Sequence, residues 1–259
     1  YSVVSTPGGF VGTGASSPVT VTGLTNGTAY TFKVFATNSY GTSVVSAASG
    51  SVTPAAPPTA IGQAYGGGFY GGQISTTANG VATHYLIVAP KTSGQNTSKQ
   101  WKTSNTTTAG TSSVIDGPAN SAAMNNASHP AAQFCEGLTI GGYTDWYMPA
   151  KNEQEVSYYF LKPGTTQNVT SFGGAGSNAN AVSPEPISTV YTASAPPQTS
   201  VTVFQAGNSE AFNTAAPRYW CSNEINATDG QVSGFNNGFA SQYAKTSSGP
   251  VRAIRRIAV

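Results

Sequence analysis

Apolar and polar positions alternate most regularly between residues 19 and 52. Val19, Val21 and Leu24 form one short run, and Tyr30, Phe32, Val34 and Ala36 recur at every second residue. That is the period of strands with one buried face. Thr25-Asn26-Gly27 is a turn between these runs, Ser39-Tyr40-Gly41 ends the second, and Val44 to Val52 gives another. Further along, His84-Tyr-Leu-Ile-Val-Ala-Pro90 is a strongly apolar strand stopped by proline. Helical spacing occurs twice, over roughly 119–137 and roughly 150–162. Residues 91–113 are polar apart from Trp101. Residues 163–217 have loop composition with apolar islands at 187–191 and 201–204. β-pattern returns at Arg218–Cys221, Gly234–Phe239 and Val251–Ile257, and 222–247 reads as a second long irregular stretch whose ends are held by strands.

Pro54-Ala-Ala-Pro57-Pro58 is short and rich in Pro and Ala, which makes a semi-rigid joint. It divides the chain into 1–54, a linker at 55–58, and 59–259. The first part reads as an all-β sandwich and the second as α+β with long loops. Charged residues make up only 8% of the chain against 38% hydrophobic, so a core is available and charge repulsion does not oppose it. The net charge of +2 comes with no basic run, only the cluster Arg252, Arg255 and Arg256, which lacks the footprint of a nucleic-acid binder. No segment approaches the ~20 apolar residues of a membrane helix. Cys135 and Cys221 are too few for a disulfide framework or a cysteine zinc site; they read as buried small hydrophobes or as one bridge.

Two resemblances add to this pattern. The run Leu24-Thr-Asn-Gly27-Thr-Ala-Tyr30-Thr-Phe32-Lys-Val34-Phe-Ala36-Thr-Asn38-Ser-Tyr-Gly41 resembles the E–F–G region of a fibronectin type III domain, with Tyr30 at its tyrosine corner. The likeness covers the last half of such a domain; Tyr1-Ser-Val-Val would be its third strand, and two preceding strands are expected from a longer chain. The second resemblance rests on Gly141-Gly-Tyr-Thr-Asp145-Trp146-Tyr147-Met148-Pro149-Ala150-Lys-Asn-Glu153, Tyr219-Trp220-Cys221-Ser222-Asn223-Glu224 and Val251-Arg252-Ala-Ile-Arg255-Arg256. Together these resemble the C-terminal domain of collagen-like bacterial adhesins (the Lcl C-terminal domain), in a variant similar to phage fibre proteins. That resemblance implies a C-type-lectin-like α+β fold and adhesion to polymers or glycans. Tyr147, Met148, Ala150 and Cys221 depart from the family's usual Arg, Leu, Thr and Ser. Ala150 at the helix N-cap cannot close a capping box with Glu153, a loss of ~1 kcal/mol.

The candidate chemistry is sparse. Asp145 and Trp146 read as structural, and Arg252 and Arg255, three apart on a strand, point to opposite faces, so that one pairs with Asp145 or Glu153. His84 and His129 are the only histidines, and no nucleophile, zinc or phosphate-loop motif occurs, so no catalytic residue is assigned and the chain reads as non-enzymatic. Glu224, Asn226 and Asp229 fall within six residues; they are compatible with a weak calcium loop and equally with an ordinary polar turn, so no metal or cofactor is assigned. Loops on a rigid scaffold carry recognition, which points to Glu224, Asn226, Asp229, Asn236, Asn237, Gln242 and Tyr243 as a glycan-binding set. The order of rod-like domain, stiff linker and lectin-like domain implies a virion-surface appendage, a phage tail fibre that attaches to host-cell polysaccharide and assembles with other fibre subunits, as a homo-oligomer and plausibly a trimer. A bacterial surface adhesin with the same domains and a glycan-cleaving enzyme with an accessory module are the rival expectations.

Overall fold

The computed structural model describes residues 1–170, 178–182, 191–215 and 218–259. The chain divides into two compact units, Tyr1–Pro57 and Pro58–Val259. Both are β-rich, and every strand pairing among the described residues is antiparallel.

The first unit contains β1 (Ser2–Thr6), β2 (Val11–Thr13), β3 (Thr31–Phe35), β4 (Thr37–Asn38) and β5 (Gly41–Thr42). β1 lies between β2 and β3, and β4 and β5 form a small hairpin. Tyr30, just before β3, is buried; its Oη accepts the Thr25 N–H at 3.0 Å and its ring meets Phe10 edge-on. Two expected strands are absent. Residues 19–24 form no ladder and instead cross close over Gly12, where a side chain would strike the Thr20 carbonyl. Residues 44–52 are replaced by a serine ladder. The N–H groups of Ser43, Ser46 and Ser49 donate to the carbonyls of Ala36, Val34 and Phe32. The same serines' Oγ atoms accept the N–H groups of those three residues at 3.0 Å. Serine every third residue thus satisfies a strand edge that offers groups every second residue, and only Val52 makes a true bridge, to Tyr30.

The second unit begins with β6 (Ala64–Tyr65), β7 (Gly68–Ile74), β8 (His84–Val88), α1 (Lys91–Gly94) and β9 (Gln95–Gln100). Helices α2 (Gly117–Ala123), α3 (Pro130–Glu136) and α4 (Lys151–Leu161) follow, then a 3₁₀ turn at Thr202–Phe204. The chain ends with β10 (Arg218–Glu224), β11 (Asp229–Gly234), β12 (Ala240–Ala244), β13 (Ser248–Arg252) and β14 (Ile254–Ala258). The sheets run β14-β8-β7-β6, β10-β11-β12 and β13-β9.

β8 explains the core. Its successive side chains point to opposite faces, and both faces are covered. Tyr85 and Ile87 join a cluster with Trp101, Trp146, Trp220, Met124 and Met148. Leu86 and Val88 join a second with Val156, Leu161, Phe204, Phe212 and Phe235. All three tryptophans are therefore buried, but Leu86 belongs to the opposite layer. α4 packs on β7 at Gly72, whose φ of +125° excludes other residues and whose missing Cβ would lie 2.6 Å from Val156.

Three elements of the second unit differ from the pattern reading; one is the strand expected at Gly234–Phe239, which beyond Gly234 is the turn from β11 to β12. The helix expected over 119–137 is two helices. Asn126 Oδ1 accepts the Ser128 N–H at 3.1 Å and meets His129 Nδ1 at 2.9 Å, a local turn that competes with helix, and Pro130 then restarts α3 at a position where no N–H is needed. The irregular stretch expected over 222–247 is largely the β11–β12 hairpin. β11, Asp-Gly-Gln-Val-Ser-Gly, carries one large apolar residue because its small residues lie against bulk supplied by others: a Cβ on Gly230 would meet the Trp101 ring at 2.9–3.1 Å. The predicted helix over 150–162 is α4. Ala150 has no side-chain oxygen to cap it, yet Glu153 Oε2 still accepts the Ala150 N–H at 2.8 Å, so half of the box forms. Of the island at 187–191, residues 187–190 lie outside the described residues.

Candidate functional site

The seven residues expected to bind ligand do not converge. Glu224 turns inward: Oε1 pairs with the fully buried Lys245 at 2.6 Å, and Oε2 accepts from the Thr108 N–H at 2.7 Å and Thr111 Oγ1 at 3.2 Å. Asn226 and Asp229 close the β10–β11 turn, where Asp229 Oδ2 accepts from Asn226 Nδ2 and Thr228 Oγ1. Asn236 and Asn237 lie at the other end of β11, in the turn to β12. Gln242 and Tyr243 are adjacent on β12 and so point to opposite faces. The oxygens of Glu224 and Asp229 thus meet different partners. Among the described residues no group of three His, Cys, Asp or Glu is placed to hold a metal ion.

What the sheet does assemble is a cation–aromatic face. Arg218, Trp220 and Tyr243 share one face of β10-β11-β12. The Arg218 guanidinium stands 4.8 Å from the Tyr243 ring, and Tyr243 lies 5.6 Å from Trp220, tilted by 36°. Trp220 Nε1 donates to the Lys99 carbonyl at 2.8 Å, and Lys99 Nζ stands 6.0 Å from the Phe134 ring. Trp220 is buried, Tyr243 and Lys99 half-buried, Arg218 exposed. Arg218 was not singled out in the sequence; its distance from Tyr243 along the chain hides the contact, and only the sheet register creates it.

The carboxylates are used internally. Of nine acidic residues, Glu185 lies outside the described ones. Asp145 takes Arg255 in a two-pronged pair at 2.7 and 2.8 Å, and Arg255 also stacks on Tyr143 at 3.8 Å. Arg252, not Arg255, is the fully buried arginine; it pairs with Glu210 at 2.6 Å, with its Cζ 5.4 Å from the Phe204 ring and 4.7 Å from the Phe212 ring. Arg256 reaches Glu153 at 2.7 Å, and the same carboxylate accepts from the Tyr147 hydroxyl. Burial pushes the Glu153 carboxyl up, and Arg256 opposes that push. Lys151 pairs with Glu155 at 2.9 Å, Asp116 caps α2 through the Ala119 N–H, and half-buried Glu136 meets the Ser121 hydroxyl.

Each histidine meets a threonine hydroxyl. His129 Nε2 lies 3.0 Å from Thr108 Oγ1 and its ring sits edge-on to Trp101. Burial first, then Lys102 and Lys245, hold its pKa down at about 4, so it is neutral near pH 7. His84 Nδ1 meets the neighbouring Thr83 hydroxyl. Both cysteines are free and buried, and burial pushes Cys221 up to about 12. Burial raises the Cys135 thiol as well, and it favours the protonated form of both. No known family model matches the chain and no curated protein does, so the functional reading rests on these residues themselves.

Proposed function

We propose that this chain is a non-enzymatic display module of a virion surface appendage, a phage-fibre type protein whose C-type-lectin-like second unit attaches to host-surface glycans. The observation that carries this reading is that each of the eight described carboxylates has a partner within the chain, while an arginine–aromatic face is left toward solvent. Glycan hydrolysis uses two carboxylates facing a cleft; here the acids act as structural anchors. Arg218 offers guanidinium donors beside the Tyr243 ring, a combination suited to sugar hydroxyls and ring C–H groups. The tie from the Thr25 N–H to Tyr30 Oη supports the fibronectin-like reading of the first unit. Weak single sites gain strength when repeated, so a symmetric fibre of several copies, a trimer among them, suits this role.

The test is adsorption of purified chain to host-cell polysaccharide, wild type against Arg218→Ala and Tyr243→Ala. Each variant is expected to lose about tenfold or more in retention, the size of one good contact. Retention unchanged in both would move the site elsewhere, and release of reducing ends from the polysaccharide would overturn the non-enzymatic assignment.

A further inference from the structure

Three lysines of the second unit are buried: Lys102, Lys162 and Lys245. An ammonium has three protons to donate, and in two of these lysines all three have acceptors. Lys102 Nζ donates to the Thr106 carbonyl, the Thr107 carbonyl and Thr108 Oγ1. Lys245 Nζ donates to the Thr106 carbonyl, Glu224 Oε1 and the Ala227 carbonyl. Lys162 has two acceptors, Asn168 Oδ1 at 2.8 Å and the Pro196 carbonyl at 3.2 Å. Asn168 Oδ1 is shared with the Tyr158 hydroxyl. None of the ion pairs among the described residues includes Lys162. Its charge is met only by neutral oxygens, an arrangement that costs stability unless something compensates.

Lys162 also lines a cavity of 260 Å³. The other walls are Thr165, Gln167, Ala193, Ser194, Pro197 and Gln198. The frame is rigid. Asn168 Nδ2 donates to the Thr192 and Pro196 carbonyls at 3.0 Å each, the Asn168 N–H donates to the Ala193 carbonyl, and Gln198 Nε2 donates to the Pro163 carbonyl at 2.8 Å. Burial holds the Lys162 pKa below its ordinary value, with no anion to offset it. The volume is below the roughly 300–1,000 Å³ of pockets for drug-sized ligands, which suits a single sugar ring rather than an oligosaccharide.

We propose that this cavity binds an acidic monosaccharide unit: a carboxylate takes the remaining proton of the Lys162 ammonium, and the hydroxyl and amide walls take the ring hydroxyls. This site is separate from the Arg218–Tyr243 face and does not depend on it. The test is calorimetric titration of the full chain with sodium D-glucuronate, with D-glucose and sodium acetate as controls. Glucuronate is expected to bind at millimolar concentration and both controls to bind about tenfold or more weaker, the contribution of a charge-assisted hydrogen bond or of the sugar hydroxyls. Lys162→Met is expected to abolish the glucuronate signal. Ala193→Leu, which fills the cavity and leaves the lysine in place, is expected to do the same and keeps the test open if the lysine variant fails to fold. Arg218→Ala is expected to retain binding. Glucuronate binding no tighter than glucose, or undiminished by Ala193→Leu, overturns the proposal; acetate binding as tightly as glucuronate overturns the sugar assignment.

Discussion

Glu155 offers a direct measurement of what burial does to a charge in this fold. It lies on α4, 4% exposed, and its one charged partner is Lys151 at 2.9 Å. Its oxygens have no hydrogen-bonding partner beyond that ion pair. Burial, partly offset by Lys151, raises its pKa from 4.5 to about 7. A carboxyl with a raised folded-state pKa binds its proton more tightly folded than unfolded. Between those two values the folded chain therefore holds more protons, and stability falls as pH rises. The interval from 4.5 to about 7 corresponds to ~3 kcal/mol at ~1.4 kcal/mol per pH unit. His129 acts with the opposite sign: its pKa is lowered from 6.5 to about 4, so its contribution grows as pH rises across that range. The two oppose each other in the wild-type profile and partly hide one another.

Glu155→Gln separates them, because His129 is common to both chains and cancels in the difference. The side chain keeps its size and loses only the ionised form. Lys151, 15% exposed, can turn to water. Urea unfolding followed by tryptophan fluorescence reports the second unit alone, since Trp101, Trp146 and Trp220 all lie there. The variant is expected to match the wild type near pH 4 and to gain on it progressively, by ~3 kcal/mol at most, up to pH 8. A difference that stays flat, or that turns against the variant with rising pH, would mean that the Lys151 ion pair outweighs desolvation and that the reasoning is wrong.

Two further outcomes follow from the packing. Trp220→Ala removes a fully buried ring and its 2.8 Å bond to the Lys99 carbonyl, and should destabilise the second unit by ~3–5 kcal/mol in the same urea assay. Residues 1–57 expressed alone should show no cooperative melting and should bind a hydrophobic dye: Tyr30 is the one buried hydrophobic side chain of that unit, and Tyr1, Val3, Val19 and Val34 line an open cavity of 670 Å³. A sharp calorimetric transition would refute this.

Legibility in the sequence followed how local each determinant is. The alternation at Tyr30–Ala36 and the apolar run at 84–90 are carried by neighbouring residues, and β3 and β8 lie within them. α4 was equally plain, although it buries Asn152, Glu153, Gln154 and Glu155, which an amphipathic rule assigns to solvent. These polar groups are tolerated because distant partners meet several of them: Asn180 Oδ1 accepts from Asn152 Nδ2, and Arg256 reaches Glu153. Partners of that kind leave no periodic trace. β11 escaped notice for the same reason, since its Gly230 lies against the Trp101 ring, far back in the chain. Of the candidate site, Tyr243 was legible as an aromatic between strands. Arg218 beside it and the cavity at Lys162 were not, because register and loop closure bring their parts together.

The scarcity of charge sharpens the role of the last two strands. Arg252, Arg255 and Arg256 hold three carboxylates from three separate places: Glu210 after the 3₁₀ turn, Asp145 before Trp146, and Glu153 in α4. Adjacent positions on a strand face opposite ways, so Arg255 and Arg256 cannot serve the same side, and the run Arg-Arg links elements on both faces of one sheet. The Ala89 carbonyl accepts from Arg252 Nε, which ties β13 to the end of β8 as well. Removing one member of such a pair strands the other in a dry interior, a cost of ~3–5 kcal/mol, whereas Asp145, at 55% exposure, can be rehydrated and contributes less. A chain with so few charges has therefore placed most of its acids where they fix long-range geometry. Under the proposed function, recognition of a surface glycan would therefore fall to cations rather than acids, at the Arg218–Tyr243 face and at the opening beside Lys162.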